Sequence, residues 1–415
     1  MLALLQWNHA ISDYVPCSMR VLILAASVFC ACPSLAQPKH LLINDHQMQA
    51  ALPSNKPQVA STPTRPPLQV ELRVPFQPTA FPSSGQMYLM YELHLTNFET
   101  VPLELHRVEV LDADADAVPP IATFGAGQLY AMVQSVGADR SVVGNGKGPI
   151  PAGGTTVVFI SIALGQNSHV PLRLLHRVLI GDSAVEGAVI GTHHTALHVL
   201  GAPVEGSNWL ASDGPSNDPE NHHRRGIFVL AGRVTISRRY AIDWKQTEGG
   251  AAYSGDARDV RSYYAYGKSV FSVADGRVVM ARDGLPDNVP GHGESFHPAV
   301  PITMETIAGN TITLDLGGGQ YAYYMHLQPG SLRVKAGDRI RRGQLLAHVG
   351  CSGDAREPHL HFEVTSSPKL LAGEGVPYVI DRYRLDSASG GSTELHIREL
   401  PLRNSVVVFG ETRRK

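Results

Sequence analysis

Residues 358–364 of the chain read PHLHFEV, a short apolar stretch that carries two histidines one residue apart. In a β-strand, side chains at positions i and i+2 point to the same face, so His359 and His361 are expected to project side by side. Two imidazoles this close can serve one metal ion, or one can bind the ion while the other moves protons. Taken alone, the same pair also fits the solvated surface of a strand, so its meaning depends on other segments.

Two segments further upstream add groups of the same chemical kind. Asp243 ends the strand-like run YAID at 240–243, and His326 lies in the apolar, aromatic run YYMHL at 323–327. Carboxylate oxygen and neutral imidazole nitrogen are ligands that suit Zn²⁺. The sequence contains no HExxH motif, which is the helical zinc motif of other proteases, so a site carried by strands is expected.

An ordered set of motifs from residue 222 to about 370 resembles the lysostaphin-type zinc endopeptidases, also called LytM or duplicated hybrid motif peptidases. The motifs are VADGRVV at 273–279, GNT at 309–311 with its hairpin to His326, VKAGD at 334–338, RGQ at 342–344, VGCSG at 349–353 and PHLHFE at 358–363. Several motifs in the right order are far more specific than one His-x-His pair. The resemblance covers under half of the chain.

This resemblance implies a zinc-dependent endopeptidase that cuts peptide cross-links of peptidoglycan. It assigns Asp243 and His361 to zinc-ligand positions, and His326 and His359 to the positions of the two catalytic histidines. Zinc would lower the pKa of water and polarise the scissile carbonyl. One histidine would then accept a proton, and the other would stabilise the oxyanion and pass a proton to the leaving amine.

The sequence departs from the family at the first ligand, a histidine four residues before the aspartate, where this chain has Arg239. A guanidinium is always charged and has no lone pair to offer a metal. Three interpretations stay open: a dead site that leaves a wall-binding or hydrolase-activating module, completion by His222 or His223, or weak binding through two ligands. Because the other four positions are kept, retained hydrolysis is favoured, with the degenerate module as the alternative.

Three residues are candidates for a substrate groove. Tyr264 lies in a long insert at 245–266, Asn310 stands at the head of the hairpin that leads to His326, and Arg239 could pair with a carboxylate of the substrate or of the protein. The alternatives are amphipathic packing for the tyrosine and a solvated charge at a strand edge for the arginine.

The N-terminal third of the chain predicts a second β-rich module. Residues 89–95 and 156–164 alternate apolar and other side chains with a period of two, and residues 103–110 change phase by one, which predicts a β-bulge. Short strands and frequent turns favour an antiparallel sandwich. The expected fold class is therefore mainly β, with an N-terminal immunoglobulin-like β-sandwich followed by a LytM-like antiparallel β domain with an open groove.

The expected organisation follows from composition. It is a signal peptide at 1–36, a Pro-rich spacer at 37–66, a β-sandwich at 67–203, a polar linker at 204–221, a LytM-like domain at 222–385 and a tail at 386–415. The true start is either Met1 or Met19, because Met19 begins a better signal by itself. Removal of the signal leaves only Cys351, so no internal disulfide is expected.

The net charge and the predicted signal segment restrict which partners are expected. The chain has 35 Lys and Arg against 37 Asp and Glu, and this near-neutral balance gives no field for gripping a phosphate backbone, so nucleic acid is not expected as a partner. An exported protein, periplasmic or extracellular, with no transmembrane segment after signal removal is expected. Its partners would be a peptidoglycan peptide and, for the alternative function, another wall hydrolase.

Overall fold

β-strands dominate the described part of the chain, which confirms the mainly β fold class. The computed structural model describes residues 67–115, 119–137, 149–165, 169–386 and 393–410. The predicted signal peptide (1–36) and Pro-rich spacer (37–66) lie outside these ranges. No helix among the described residues has the length and apolarity needed to cross a membrane.

The first ten strands form two antiparallel sheets, and the short helix α1 (Ala126–Met132) lies between the fifth and sixth strands in the chain. The strands are β1 (Val70–Arg73), β2 (Phe81–Ser83), β3 (Gln86–Asn97), β4 (Leu103–Asp112), β5 (Ala122–Gly125), β6 (Val133–Ser135), β7 (Pro149–Ile150), β8 (Thr155–Leu164), β9 (Arg173–Ile180) and β10 (Ser183–Gly191). One sheet has the order β1-β3-β8-β6 with β2 beside β3, and the other has the order β10-β9-β4-β5 with β7 beside β4.

The alternating stretches of the sequence become the central pair of the first sheet. β3 and β8 pair antiparallel with Leu89 opposite Ile162 and Leu93 opposite Val158. Their apolar side chains join those of β4 and β9 in one buried cluster between the two sheets. The expected phase change in β4 is confirmed as an irregularity between Leu105 and Arg107 in its pairing with β9. The immunoglobulin-like character of this module stays a prediction.

The remaining strands build one large sheet and two hairpin-sized sheets. They are β11 (Val199–Leu200), β12 (Gly206–Ser212), β13 (Phe228–Leu230), β14 (Arg233–Thr235), β15 (Ile242–Gln246), β16 (Ser269–Phe271), β17 (Gly276–Arg282), β18 (Asn310–Gly317), β19 (Gln320–Leu327), β20 (Arg339–Ile340), β21 (Leu345–His348), β22 (Leu360–Thr365), β23 (Val379–Leu385), β24 (Glu394–Glu399) and β25 (Val406–Phe409). The large sheet runs β11-β23-β25-β12-β15-β22-β19-β18-β17-β20, with β24 beside β23. Short 3₁₀ turns occupy Ser237–Tyr240, Val260–Ser262 and Gly293–Ser295.

Two segments expected outside the domains belong to this sheet. Residues 206–212, expected to lie in a polar linker, form β12 between β25 and β15, and residues 394–399 and 406–409 of the expected tail form β24 and β25. In β12, Trp209 and Ala211 are fully buried and Leu210 between them is partly exposed. This short apolar run is flanked by Gly, Ser and Asn, so composition concealed the strand.

The first module and the large sheet pack against each other within one compact unit, Leu68–Lys415. Phe81 of β2 and Met90 of β3 belong to the same buried cluster as Trp209, Trp244 and the other core residues of the large sheet. β3 is therefore covered on both faces: Leu89, Tyr91 and Leu93 face the cluster between the first two sheets, and the intervening residues face the large sheet.

Candidate metal centre

Three neighbouring strands of the large sheet bring the predicted site residues together. β22 lies between β15 and β19, with Asp243 opposite His361 on one side and Met325 opposite His361 on the other. His326 follows Met325 at the end of β19, and His359 immediately precedes β22. Residues that lie far apart in the sequence thus converge because their strands are adjacent in one antiparallel sheet.

Asp243 is the centre of the cluster. Its Oδ1 accepts a hydrogen bond of 2.9 Å from Nδ1 of His361 and lies 3.4 Å from Nε2 of His223 and 3.4 Å from Nε2 of His359. His222 approaches the other oxygen, with Nε2 3.9 Å from Oδ2. His222, His223 and Asp243 each present a ligand atom within 4.8 Å of the others. Three imidazoles therefore surround one buried carboxylate oxygen, and a fourth stands at its edge.

The turn at 222–225 delivers His223 to this carboxylate. Asn221, itself buried, accepts hydrogen bonds from the backbone N–H groups of His223 and Arg224 through Oδ1, both at 3.0 Å. The His223 ring is then oriented by the Asp213 carbonyl, which accepts a 3.0 Å hydrogen bond from Nδ1. A carbonyl can only accept, so the proton of the neutral ring sits on Nδ1 and the lone pair sits on Nε2.

Neither of the two atoms that face each other, Nε2 of His223 and Oδ1 of Asp243, carries a proton. Nε2 of His223 is buried and has no hydrogen-bond partner among the described residues, and burial lowers the pKa of His223 to about 3, so the ring is neutral. A lone pair facing a carboxylate oxygen across 3.4 Å is repulsive unless a cation lies between them. Two ligands about 2.1 Å from a tetrahedral zinc ion lie about 3.4 Å apart. The donor set and its spacing therefore fit Zn²⁺.

His359 is held in a similar way by the chain that precedes β22. Its Nδ1 lies 2.7 Å from the carbonyl of Glu357, and its Nε2 lies 3.4 Å from Asp243 Oδ1. The Glu357 side chain is anchored by Lys245, whose Nζ lies 2.7 Å from Oε1. Lys245 stands two residues after Asp243 on β15, on the same face of the strand. Asp243 and the support of His359 thus belong to one strand.

His326 occupies a strained backbone position. Its φ of 61° lies in the left-handed region, which costs a non-glycine residue about 1–3 kcal/mol. Hydrogen bonds on both sides maintain it, because the His326 N–H donates to Ala308 and its carbonyl accepts from Gly350. Nδ1 donates to the Ser352 carbonyl at 2.8 Å, and the ring lies 4.9 Å from that of His359 and 5.9 Å from that of His361, between centroids. This backbone conformation therefore places the His326 ring beside those of His359 and His361.

Glu363 supports His361 from the side opposite Asp243. It follows His361 by two residues on β22, is 1% exposed, and has Oε2 3.6 Å from Nε2 of His361. Within the described part of the chain, neither oxygen of Glu363 has a hydrogen-bond partner. A carboxylate behind a metal-binding histidine fixes its orientation and raises its basicity. Glu363 can play that part for His361.

Burial and neighbouring charges shift the pKa values of His361, Asp243 and His326 in different directions. Burial alone would lower the pKa of His361, but the hydrogen bond to Asp243 and the nearby Glu363 carboxylate outweigh it and raise the pKa to about 9. Burial would raise the pKa of Asp243, but the imidazoles around it, of which His361 donates a hydrogen bond to Oδ1, hold it well below its usual range. The pKa of His326 is well below its ordinary value because of burial, with a further contribution from His359. The carboxylate is thus ionised in a cluster that favours positive charge.

Two of the three expected groove residues are buried structural groups. Arg239 is 3% exposed and pairs with Glu92 and Glu374, and Asn310 is fully buried, with its side-chain amide bonded to both backbone groups of Leu285 and to the Leu327 carbonyl. The contacts of Arg239 match its second interpretation, a pair with carboxylates of the protein. The side chains of Arg239 and Asn310 bind groups of the protein that are distant in the sequence. Tyr264 is partly exposed in the loop before β16, so its predicted role stays open.

Four supporting residues escaped the sequence analysis. They are Glu92, Asn221, Lys245 and Glu363, all of which hold a site residue or its neighbour in place. For Glu363 the signal was present, since it stands two residues after His361 on the expected strand. Lys245 was placed in the insert at 245–266, whereas β15 continues to Gln246. Nothing local distinguishes Glu92, which lies in the other module.

Comparison with known proteins matches part of the chain to a peptidase family. Residues 259–372 match the model of Peptidase family M23, and this range contains His326, His359 and His361. This segment matches an M23 peptidase domain, as the resemblance to the lysostaphin-type enzymes predicted. The residues that precede the matched range include Asp243, Arg239 and the turn at 222–225.

Two relatives are named for work on the bacterial envelope or division. The chain is 32% identical over 98 residues to the peptidoglycan DD-endopeptidase ShyB of Vibrio cholerae, covering 24% of this chain and 18% of that one. It is 29% identical over 96 residues to the cell division protein DipM of Caulobacter vibrioides, covering 23% of this chain and 15% of that one. The similarity thus spans less than a fifth of either relative.

A solved structure also matches. It is the catalytic domain of the prophage-encoded M23 protein EnpA from Enterococcus faecalis, determined as a point mutant, which shares 18% identity with a TM-score of 0.25. The match covers 42% of this chain and 92% of that domain.

Proposed function

We propose that the protein is an exported, zinc-dependent endopeptidase that hydrolyses peptide cross-links of peptidoglycan. The M23 domain supports a peptidase, and the relatives named for peptidoglycan cleavage or cell division support a cell-wall substrate. The observation that carries the metal-dependent part is the buried, unprotonated Nε2 of His223 facing Asp243 Oδ1 at 3.4 Å.

Asp243, His361 and His223 are the proposed zinc ligands. His223 takes the role that the family resemblance gives to the position of Arg239. Its Nε2 carries a lone pair, whereas Arg239 has none and is committed to two glutamates. Zinc held by these side chains would supply Lewis-acid chemistry, which polarises a peptide carbonyl and lowers the pKa of water.

His326 and His359 are the proposed proton-handling residues. The Nδ1 atoms of both donate to backbone carbonyls, of Ser352 and of Glu357, so in each neutral ring Nε2 is the atom that exchanges protons. One ring accepts a proton from the attacking water, and the other stabilises the oxyanion and delivers a proton to the leaving amine. Tyr264 remains the proposed groove residue.

Metal analysis of purified variants tests the ligand set. The wild-type protein should hold about one zinc ion, and His223→Ala and His361→Ala should each lose it, because each removes a ligand from the buried carboxylate. His222→Ala is the matched control, since His222 is the adjacent imidazole and its side chain is 50% exposed. Zinc loss in His222→Ala but not in His223→Ala would reverse the assignment of the replacement ligand.

Digestion of purified peptidoglycan, followed by chromatography of the released muropeptides, tests the reaction. Wild-type protein should cleave cross-links, and His359→Ala should keep its zinc and lose cleavage. If the zinc-loaded wild-type protein cleaves no muropeptide, the catalytic proposal is wrong. The degenerate module that binds the wall or activates another hydrolase then replaces it.

A further inference from the structure

One buried carboxylate of the N-terminal module reaches both segments that deliver ligands to the metal centre. Glu92 lies on β3, is 3% exposed, and pairs with Arg224 and with Arg239. Arg224 directly follows His223, and Arg239 precedes Asp243 by four residues. Glu92 therefore makes an ion pair with each of the two segments.

The contacts of Arg239 have the geometry of a strong pair. Its Nε lies 3.1 Å from both oxygens of Glu92, and its Nη2 lies 2.6 Å from Oε2. The same Nη2 lies 2.8 Å from Glu374, and Nη1 donates to the Gly375 carbonyl at 3.0 Å. Charge-assisted bonds from a planar guanidinium fix orientation as well as distance. The chain leading to Asp243 is therefore fastened to β3.

Arg224 is fastened to the same sheet without access to solvent. Its side chain is 0% exposed and pairs with Glu92, and Nη2 donates to the carbonyls of Tyr91 at 2.9 Å and Ile160 at 3.1 Å. Consecutive Cα atoms are about 3.8 Å apart, so fixing Arg224 leaves His223 little freedom. The ring of His223 thus depends on contacts with β3 and β8, outside the M23 domain.

We propose that Glu92 is a positioning residue of the metal centre. It holds the turn that carries His223 and the segment that leads to Asp243 in one fixed relation, so the N-terminal module sets the geometry of the replacement ligand. This inference rests on the proposed function for its consequence in metal binding. It also explains Arg239, which serves the same centre through Glu92.

Zinc affinity in purified full-length variants measures the effect. Glu92→Gln keeps the shape and removes the charge, and Arg224→Lys keeps the charge and removes the fork of donors. Both should weaken zinc binding about tenfold or more in competition with a chromophoric chelator, which is typical for loss of a group that orients a ligand. Tyr91→Phe is the matched control, because Tyr91 neighbours Glu92 on β3 but its hydroxyl bonds to His176. The zinc affinity of Tyr91→Phe should stay within about twofold of the wild-type value.

Hydrogen exchange of the metal-free proteins gives a second measurement that needs no zinc. The amides of His223 and Arg224 are protected by Asn221, so they should exchange faster in Glu92→Gln and at the wild-type rate in Tyr91→Phe. If Glu92→Gln does not fold, Arg224→Lys decides. Folded variants with wild-type affinity and exchange would overturn the inference. Absence of zinc from the wild-type protein would instead defeat the proposed function, and exchange alone would then decide whether Glu92 positions the turn.

Discussion

At the scale of single residues, Arg239 matters most for the proposed zinc site, because the family resemblance expects a ligand histidine at its position. The sequence identified the problem and named His222 and His223 as candidates for replacement, but it could not choose between them. The choice depends on Asn221, on the Asp213 carbonyl and on a bond across the molecule from Arg224, and none of these leaves a local pattern. The structure favours His223, whose buried ring is oriented with its lone pair towards Asp243.

A histidine placed at position 239, where the resemblance expects a zinc ligand, should damage the protein. In Arg239→His, Glu92 loses one partner and Glu374 its guanidinium, and removal of one member of a buried ion pair costs about 3–5 kcal/mol. We expect the free energy of unfolding in urea to fall by that amount and zinc affinity to fall or stay unchanged. A variant that keeps wild-type stability and binds zinc more tightly would show that Arg239 is a decayed ligand without a structural role.

His176 predicts acid sensitivity of the N-terminal module. Its Nδ1 donates to the Ala188 carbonyl at 2.9 Å and its Nε2 accepts from the Tyr91 hydroxyl at 2.9 Å, so the ring is neutral, and burial lowers its pKa from 6.5 to about 4. Protonation therefore favours the unfolded state. The stabilising contribution is complete above pH 6.5 and is lost as the pH falls from 6.5 to 4.

Between pH 7 and pH 5 this residue should account for about 2 kcal/mol of lost stability. Urea unfolding at both pH values should therefore show a difference smaller by that amount in His176→Gln than in the wild type. His106→Gln, at a side chain 49% exposed, is the control and should keep the wild-type difference. Equal pH dependence in all three proteins would contradict the assignment.

At the scale of elements, the strands that carry the site were largely predictable, and their support was not. Alternation located β3 and β8, and the His-x-His pair at 359 and 361 marked the start of β22. β12 was missed because its short apolar run is flanked by Gly, Ser and Asn. The pairing of Glu92 with Arg239 spans 147 residues, so no sequence window contains both partners.

β15 should influence catalysis through Lys245 as well as through Asp243. Lys245→Met removes the 2.7 Å contact with Glu357 and leaves that carboxylate half-buried and unpaired, so the carbonyl that orients His359 is free to shift. We expect kcat to fall about tenfold with zinc content unchanged, because the proton-handling ring is misplaced and the ligands are not. Lys245→Arg, which keeps the charge, should retain most of the activity. Loss of zinc in Lys245→Met would contradict this division of roles.

At the scale of the whole molecule, the N-terminal module and the large sheet should unfold together. They share one apolar cluster through Phe81 and Met90, and the pairs of Glu92 with Arg224 and Arg239 lie inside their contact. Separation of the two parts would expose that apolar surface and leave buried charges without partners, and both changes raise the free energy of a half-unfolded state. Neither part is then expected to open alone under conditions where the other persists.

The chain offers a probe for each part. Among the described residues the tryptophans are Trp209 and Trp244, both fully buried in the large sheet, so in a Trp7→Phe background fluorescence reports that sheet. Hydrogen exchange of residues 155–164 in β8 reports the N-terminal module. Urea titrations followed by the two probes should give coincident midpoints, and Glu92→Gln should lower both midpoints equally, because it weakens the contact that joins them. Opening of β8 at a lower urea concentration than the loss of tryptophan signal would mean that the module is an independent unit. The metal centre would then have to hold His223 in place without it.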